Sequence, residues 1–352
     1  MRAWYPVQSC VEGIIDGLRY MKMLDNAILF SLSANQELAE SIAAHLGVEL
    51  GERSIQRFPS GEILVEPVDT VRGKQVFIIQ STCPPVNENL METLIFIDAL
   101  KRASAKEINL IVPYFGYARQ DRKAKPRQPI TAALVAHLLN TAGVDRVVTV
   151  NLHAAQIQGF FSCLVDDLTA VPLLGAAINK EIVDKKDLIV VSPDHGGVKR
   201  ARDLASVLGN CPIAIIDKRR SSNLEPEVMA IIGDVKGKHC IMVDDMIDTG
   251  RSAVFGANAL RQAGAKSVRM VAVHPVFSDP CYDLFKEKPF EEVIVTDSIP
   301  LDNRFLGLPN IRVISLAGML GECIERIVDN IPLSAVFEAY TKPENVKKVI
   351  ED

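Results

Sequence analysis

The chain has 352 residues, 39 basic against 44 acidic side chains, and a formal net charge of −5. With 48 % hydrophobic and 24 % charged residues it has the profile of an ordinary globular protein, which excludes a disordered chain, a collagen and a disulfide miniprotein. The charge balance excludes a strongly basic nucleic-acid binder. No apolar run approaches the roughly 20 residues of a membrane helix.

The 7 cysteines are odd in number and no two sit at CxxC spacing. That points away from a zinc cage or a disulfide framework and toward reduced thiols in a cytoplasmic protein. At roughly 150 residues per domain, the length predicts two domains, each with its own core.

Residues 1–22 look unlike the rest of the chain and lack the continuous apolar segment of a signal peptide. Met21 and Met23 stand just ahead of a clean strand pattern, so we read 1–22 as a leader or start-site extension. From Ala27 the pattern repeats: strand AILFS, then helix NQELAESIAAHLG closing on Gly47, then strands EILVEPV and QVFIIQ. A helix over about Glu88–Ala103 carries Leu90, Leu94 and Ile97 at i, i+4, i+7. Strand INLIVPY, a polar loop, helix ITAALVAHLLNTAG and strand RVVTVNL come next.

The alternation then restarts with strand LIVVSPD, helix GGVKRARDLASVLG, strands CPIAIID and HCIMVDD, helix RSAVFGANALRQAG and strand SVRMVAVHPVF. VIVTDSIPL and RVISL are shorter late strands. Strands alternating with helices predict an α/β protein of two tandem doubly wound domains with mainly parallel sheets. We divide them near residue 170, giving 23–170 and 171–342, with 343–352 as a tail.

The strongest chemical signal is VDDMIDTGRS, Val243–Ser252. A buried strand ends in two adjacent carboxylates, Asp244 and Asp245. A turn through Asp248, Thr249 and Gly250 then enters a helix at Arg251 and Ser252. Ligands of open parallel sheets bind at the carboxyl ends of strands, and a helix N-terminus binds anions. The carboxylates suit sugar hydroxyls, and the turn suits a phosphate. An acidic helix cap is the plainer role for Asp248, but it does not account for the two carboxylates before it.

Other residues are more ambiguous alone. Arg119 and Gln120 follow a strand in YARQD, where an arginine fork suits phosphate oxygens. Phe58 reads as a core aromatic. His153 after VVTVNL reads as a packing histidine, although Asp194 ends LIVVSPD at an equivalent place in the second half. Lys218 and Arg220 in DKRR read as a solvated basic cluster.

Together the motifs are more specific. VDDMIDTGRS resembles the phosphoribosyl-diphosphate motif of type I phosphoribosyltransferase folds. RFPSGE (57–62), PYFGYARQDRK (113–123), NLHAAQIQGFF (151–161), SPDHGGVKRA (192–201) and DKRR (217–220) are similar to ribose-phosphate pyrophosphokinases over about residues 25–342. The resemblance implies diphosphate transfer from Mg-ATP to the anomeric hydroxyl of ribose 5-phosphate. It assigns Phe58, Ser60, Glu62, Arg119, Gln120 and His153 to ATP, and His153 with Asp194 to Mg2+. It assigns Asp244, Asp245, Asp248, Thr249, Gly250, Arg251 and Ser252 to ribose 5-phosphate. Lys218 and Arg220 become catalytic residues of a flexible loop that stabilises the transferring group.

The chain departs from the family pattern at Asn151, usually Asp; at Ser60, usually acidic or amide; and at Arg251, where a small residue, Gly and Thr usually follow the Asp-Thr. The resemblance also implies a homo-oligomer, often a hexamer, with phosphate or ADP at a second site. The matching positions are Thr70, Arg72, Ser104, Arg127, Pro332 and Ser334. Thr70 and Pro332 replace serines there, so weakened phosphate activation is expected, Arg72 and Arg127 as surface ion pairs being the alternative. Two rivals differ in class: a non-catalytic regulatory subunit, and a nucleobase phosphoribosyltransferase. Retention of His153, Asp194, Lys218 and Arg220 argues against the first, while Asn151 and Arg251 leave room for it; the second would share VDDMIDTG but has no use for an ATP-binding first half.

Overall fold

The computed structural model describes residues 26–179, 187–219 and 228–336. The leader, the tail and Arg220 lie outside that range, and Lys218 is described by its backbone alone. The chain divides into two compact units. The first comprises residues up to Thr149, Ala154–Asp166 and Ala317–Leu333; the second comprises Val150–His153, Asp167–Leu316 and the residues from Ser334.

The first unit opens with β1 (Ala27–Ser31) and α1 (Gln36–Leu46), which ends on Gly47 in the left-handed conformation. A hairpin of β2 (Arg53–Arg57) and β3 (Ile63–Pro67) is next. Then come β4 (Gln75–Ile79), α2 (Val86–Arg102), β5 (Glu107–Val112), α3 (Thr131–Ala142), β6 (Arg146–Val150), a 3-10 turn at Ala155–Phe160 and β7 (Leu164–Leu168).

The strands form one sheet in the order β1-β4-β5-β6-β7, parallel through β1, β4, β5 and β6. Its central strands are continuous apolar runs because both faces are covered: Val76, Phe77, Ile78, Leu110 and Ile111 are fully buried.

The second unit holds α4 (Val171–Asn179), β8 (Leu188–Ser192), α5 (Val198–Val207), β9 (Ile213–Arg219), β10 (Val228–Ile232) and β11 (His239–Ile247). It continues with α6 (Arg251–Gln262), β12 (Ser267–Pro275), α7 (Cys281–Lys286), β13 (Val293–Thr296), α8 (Asn303–Leu306) and β14 (Ile311–Ile314). The sheet order is β10-β9-β8-β11-β12-β13-β14, parallel except for β10 against β9.

The order runs outward in opposite directions from the β8–β11 pair. That reversal makes a crevice at the carboxyl ends of these two strands, the place where such sheets bind ligands. Asp194 follows β8, and Asp244 and Asp245 stand on β11.

The α/β class with mainly parallel sheets is as the alternation predicts. The last helix, α9 (Ala317–Asp329), clusters with the first unit, although it comes after the second unit in sequence. Its apolar face, Met319, Leu320, Cys323, Ile324 and Ile327, is buried, and Gly321 lets it close on the His45 ring of α1. Periodicity marks such a face but not the unit that covers it. Among the described residues, no helix is long and apolar enough to cross a membrane.

Candidate active site

The carboxylate cluster belongs to the second unit. Asp245 is buried and Asp244 half-buried. Asp245 Oδ2 lies 2.6 Å from His153 Nδ1. Arg200, in the first turn of α5, places Nη1 2.9 Å from Asp244 Oδ1 and Nη2 3.4 Å from Asp245 Oδ1. The Asp245 backbone N–H donates to Asp244 Oδ1 at 2.9 Å.

Burial, and then the charge of Asp245, push the Asp244 carboxyl up from its ordinary range. Burial opposes the charge of Asp245 too, but the His153 bond and the Arg200 guanidinium outweigh it and hold that carboxyl low. Asp245 is therefore the fixed anion of the pair, and His153 Nδ1 carries the proton it donates.

Beyond β11 the chain turns through Asp248 and Thr249 to Gly250, the N-cap of α6, at φ 73°. That left-handed position favours glycine. A Cβ there would also lie 3.0 Å from Cys281 Sγ and from the Phe285 ring. The N-cap is itself a glycine and brings no side chain to the first turn of α6, and a helix N-terminus favours an anion. Arg251 and Ser252 open the helix as exposed residues, so the arginine fits the turn without a clash.

Asp194 is exposed and its Oδ1 accepts the Gly197 N–H at 2.9 Å. Asn151 has left-handed backbone, φ 47°, a conformation asparagine tolerates. Its Oδ1 accepts the Ala170 N–H at 2.7 Å, and its Nδ2 lies 3.4 Å from Thr169 Oγ1. Its amide therefore shapes the turn ahead of His153. The buried His274 reaches the Asn151 carbonyl at 3.3 Å, and the Asp167 carboxylate takes the Leu152 N–H at 3.0 Å.

The ATP-assigned residues of the first unit form two groups. Phe58, Ser60 and Glu62 share the hairpin tip, where Ser60 Oγ donates to Glu62 Oε2 at 2.7 Å and Gly61 takes φ 89°. Phe58 is 39 % exposed, which removes its reading as a core aromatic. Arg57 ties the hairpin to α2 through Glu88 and the fully buried Glu92, both at 3.4 Å.

Arg119 and Gln120, exposed after β5, line a cavity of about 720 Å³ with Pro85, Asn87, Tyr114 and Tyr117. Gly116 behind them faces the Thr82 carbonyl too closely for any side chain.

Of the effector positions in the first unit, Arg72 and Ser104 stand on adjoining loops, where the Gly73 N–H donates to the Ser104 carbonyl at 3.0 Å. Thr70 and Arg127 are exposed, and the Pro332 carbonyl accepts from Arg326 at 3.2 Å. Ser334 belongs to the second unit. Arg220 lies outside the described residues; Lys218 stands on β9, opposite Met229.

Sequence reasoning missed Arg200 and the His153–Asp245 bond. Arg200 does stand in SPDHGGVKRA, close behind Asp194, but nothing local distinguishes it from its basic neighbours Lys199 and Arg202.

An α/β protein with acidic residues at a strand-order reversal, leading into a helix start, has the layout of the doubly wound folds that bind ligands at the carboxyl ends of their strands. Residues 27–143 match the N-terminal domain of ribose phosphate pyrophosphokinase, and 216–338 match the phosphoribosyl synthetase-associated domain. The chain is 51 % identical to a ribose-phosphate pyrophosphokinase of Fusobacterium nucleatum, over 89 % of this chain and 98 % of that one. It is 52 % identical to ribose-phosphate pyrophosphokinase 1 of Streptococcus pyogenes, over 88 % and 97 %. Phosphoribosylpyrophosphate synthetase from Mycobacterium smegmatis superposes with a TM-score of 0.82 at 44 % identity, over 87 % of this chain and 100 % of that one. The chain belongs to the ribose-phosphate pyrophosphokinase family, which makes it a transferase of nucleotide biosynthesis.

Proposed function

We propose that the chain transfers the diphosphoryl group of Mg-ATP to the anomeric hydroxyl of ribose 5-phosphate, giving phosphoribosyl diphosphate and AMP. The observation that carries this reading is the Asp244–Asp245 pair at the β8–β11 reversal, followed by a turn through a left-handed Gly250 into the start of α6. The carboxylates accept hydrogen bonds from the ribose hydroxyls. Thr249, Gly250, Arg251, Ser252 and the α6 N–H groups take the 5-phosphate, and Asp248 borders that turn.

The anomeric oxygen attacks the β-phosphorus. The bond from that phosphorus to the α–β bridging oxygen breaks, AMP leaves with the oxygen, and the hydroxyl proton is lost. Lys218 and Arg220 stabilise charge on the transferring group. Arg119 and Gln120 beside their cavity, with Phe58, Ser60 and Glu62 on the hairpin, bind ATP. Catalysis is positioning and charge neutralisation, as is usual for this chemistry.

The donor set fits Mg2+. Among the described residues no group of three or more His, Cys, Asp or Glu could hold a metal, and Mg2+ needs no such cage, since it is bound through one or two protein ligands, waters and substrate phosphates. Asp194 offers a carboxylate. His153 Nδ1 faces Asp245, so a metal held here would meet the other ring nitrogen, as in the carboxylate–histidine arrangement common at metal sites. Held by Asp194 and His153, Mg2+ would supply positive charge to the ATP phosphates. The protein works in the cytoplasm as a homo-oligomer, a hexamer by family likeness. Phosphate or ADP acts through Thr70, Arg72, Ser104, Arg127 and Ser334, weakly because Pro332 brings no hydroxyl or N–H.

Release of AMP from ATP plus ribose 5-phosphate tests the reading. AMP should form only with both substrates. Asp194→Ala should abolish turnover while leaving the thermal midpoint within a few degrees. AMP release that ignores ribose 5-phosphate, or an Asp194→Ala protein of normal activity at modest Mg2+, contradicts it.

A further inference from the structure

The first turn of α5 breaks the electrostatic rule of helix ends. A helix N-terminus favours negative charge, yet this one carries no acidic residue in its first turn and opens Val198-Lys199-Arg200. Sequences break local rules where function compensates. For Arg200 the compensation is visible. Its side chain is 17 % exposed and forks across Asp244 Oδ1 at 2.9 Å and Asp245 Oδ1 at 3.4 Å.

Adjacent carboxylates repel, and successive strand side chains diverge to opposite faces. One planar guanidinium that hydrogen-bonds Asp244 and pairs with Asp245 restrains both side chains at once. A lysine ammonium has no such fork. Asp244 Oδ1 is held a second time by the Asp245 N–H, and Asp245 Oδ2 by His153. The pair is therefore ordered before any sugar arrives, which lowers the cost of binding one.

We propose that Arg200 is a positioning residue for ribose 5-phosphate, acting by holding Asp244 and Asp245 in the geometry that accepts the ribose hydroxyls. The inference rests on the assignment of those two carboxylates to ribose. It predicts an effect confined to one substrate and transmitted through Asp244.

The test is a double-mutant cycle of Arg200→Gln and Asp244→Asn. It reads KM for each substrate, and the Kd of ribose 5-phosphate by calorimetry with Mg2+ and a non-transferable ATP analogue present. Arg200→Gln should weaken ribose 5-phosphate by about 10- to 100-fold, the worth of a charge-assisted hydrogen bond. KM for ATP should move less than about threefold. In the Asp244→Asn background the same change should add less than about threefold, because coupled residues are non-additive.

Unchanged ribose 5-phosphate affinity in Arg200→Gln overturns the proposal, and so does its full effect in the Asp244→Asn background. If Asp244→Asn alone leaves ribose 5-phosphate binding intact, the ribose assignment fails and the proposal fails with it. If Arg200→Gln does not fold, Arg200→Lys carries the test. It should raise KM for ribose 5-phosphate about tenfold at unchanged KM for ATP, and an equal rise in both sinks the idea.

Discussion

The hairpin tip of the first unit and the β11 end of the second are built on opposite plans. At the tip, Phe58, Ser60 and Glu62 are exposed and held mainly by a tight turn and the Arg57 ion pairs to α2. At the β11 end, Asp244 and Asp245 sit at the edge of a packed core and are cross-braced by Arg200, His153 and a backbone N–H. The tip is an exposed turn with few internal restraints, whereas the fold already holds the charges of the strand end in place. Substitutions at the two places should therefore separate stability from binding.

The largest contrast should come from Asp245→Ala. It removes the carboxylate that His153 bonds and one of the two that Arg200 faces, and breaking a buried ion pair costs about 3–5 kcal/mol. Glu62→Ala at the exposed tip should cost less than about 0.5 kcal/mol. Denaturant unfolding of both variants checks this. Equal costs would mean that the β11 cluster is no better braced than the tip.

Next is Lys218→Ala, whose charge is proposed to act on the transferring group. It should lower kcat by about 10²–10³ with little change in KM for ribose 5-phosphate. A rise in that KM at unchanged kcat would place the lysine in ground-state binding, and steady-state kinetics distinguishes the two.

A smaller effect is expected at Asp167, which straps the turn ahead of His153. Burial raises its carboxyl to about 6, against the opposing Leu152 N–H bond. Between about pH 4 and pH 6 the folded state keeps a proton that the unfolded chain has released. This contribution is full below about pH 4 and is lost as pH rises to about 6. Asp167→Asn keeps an oxygen for the Leu152 N–H and has no charge to bury. It should flatten that part of the stability profile and gain about 2 kcal/mol at pH 7. Parallel profiles for parent and variant would remove burial as the cause.

How much of this was legible in the sequence differs between the two places. VDDMIDTG announced itself because a strand-end acidic pair running into a glycine turn serves few purposes besides ligand binding, and Gly250 does take the left-handed position. Phe58 could not be told from a core aromatic by its own pattern; only its motif placed it, and only the structure shows it exposed. In the sequence Asn151 stands out only as a departure from the family's usual Asp. The structure gives its amide to Ala170 and Thr169, a role set by contacts some 19 residues away that no local spacing encodes. Arg200 was hidden for the same reason, since its partners lie on β11, 44 residues further along. The strand-helix alternation revealed the class of fold, while the placing of α9 depended on which unit covers its apolar face.

The proposed division of labour between the two regions, ATP at Arg119 and the hairpin and ribose 5-phosphate at the β11 end, is open to a two-by-two kinetic comparison. Arg119→Ala and Asp248→Asn would each be titrated with ATP at saturating ribose 5-phosphate, and the reverse. Arg119→Ala should raise KM for ATP about tenfold or more and leave ribose 5-phosphate unchanged, and Asp248→Asn should do the opposite. If Arg119→Ala weakens ribose 5-phosphate, or Asp248→Asn weakens ATP, as much as its assigned substrate, the two regions do not divide the substrates as described.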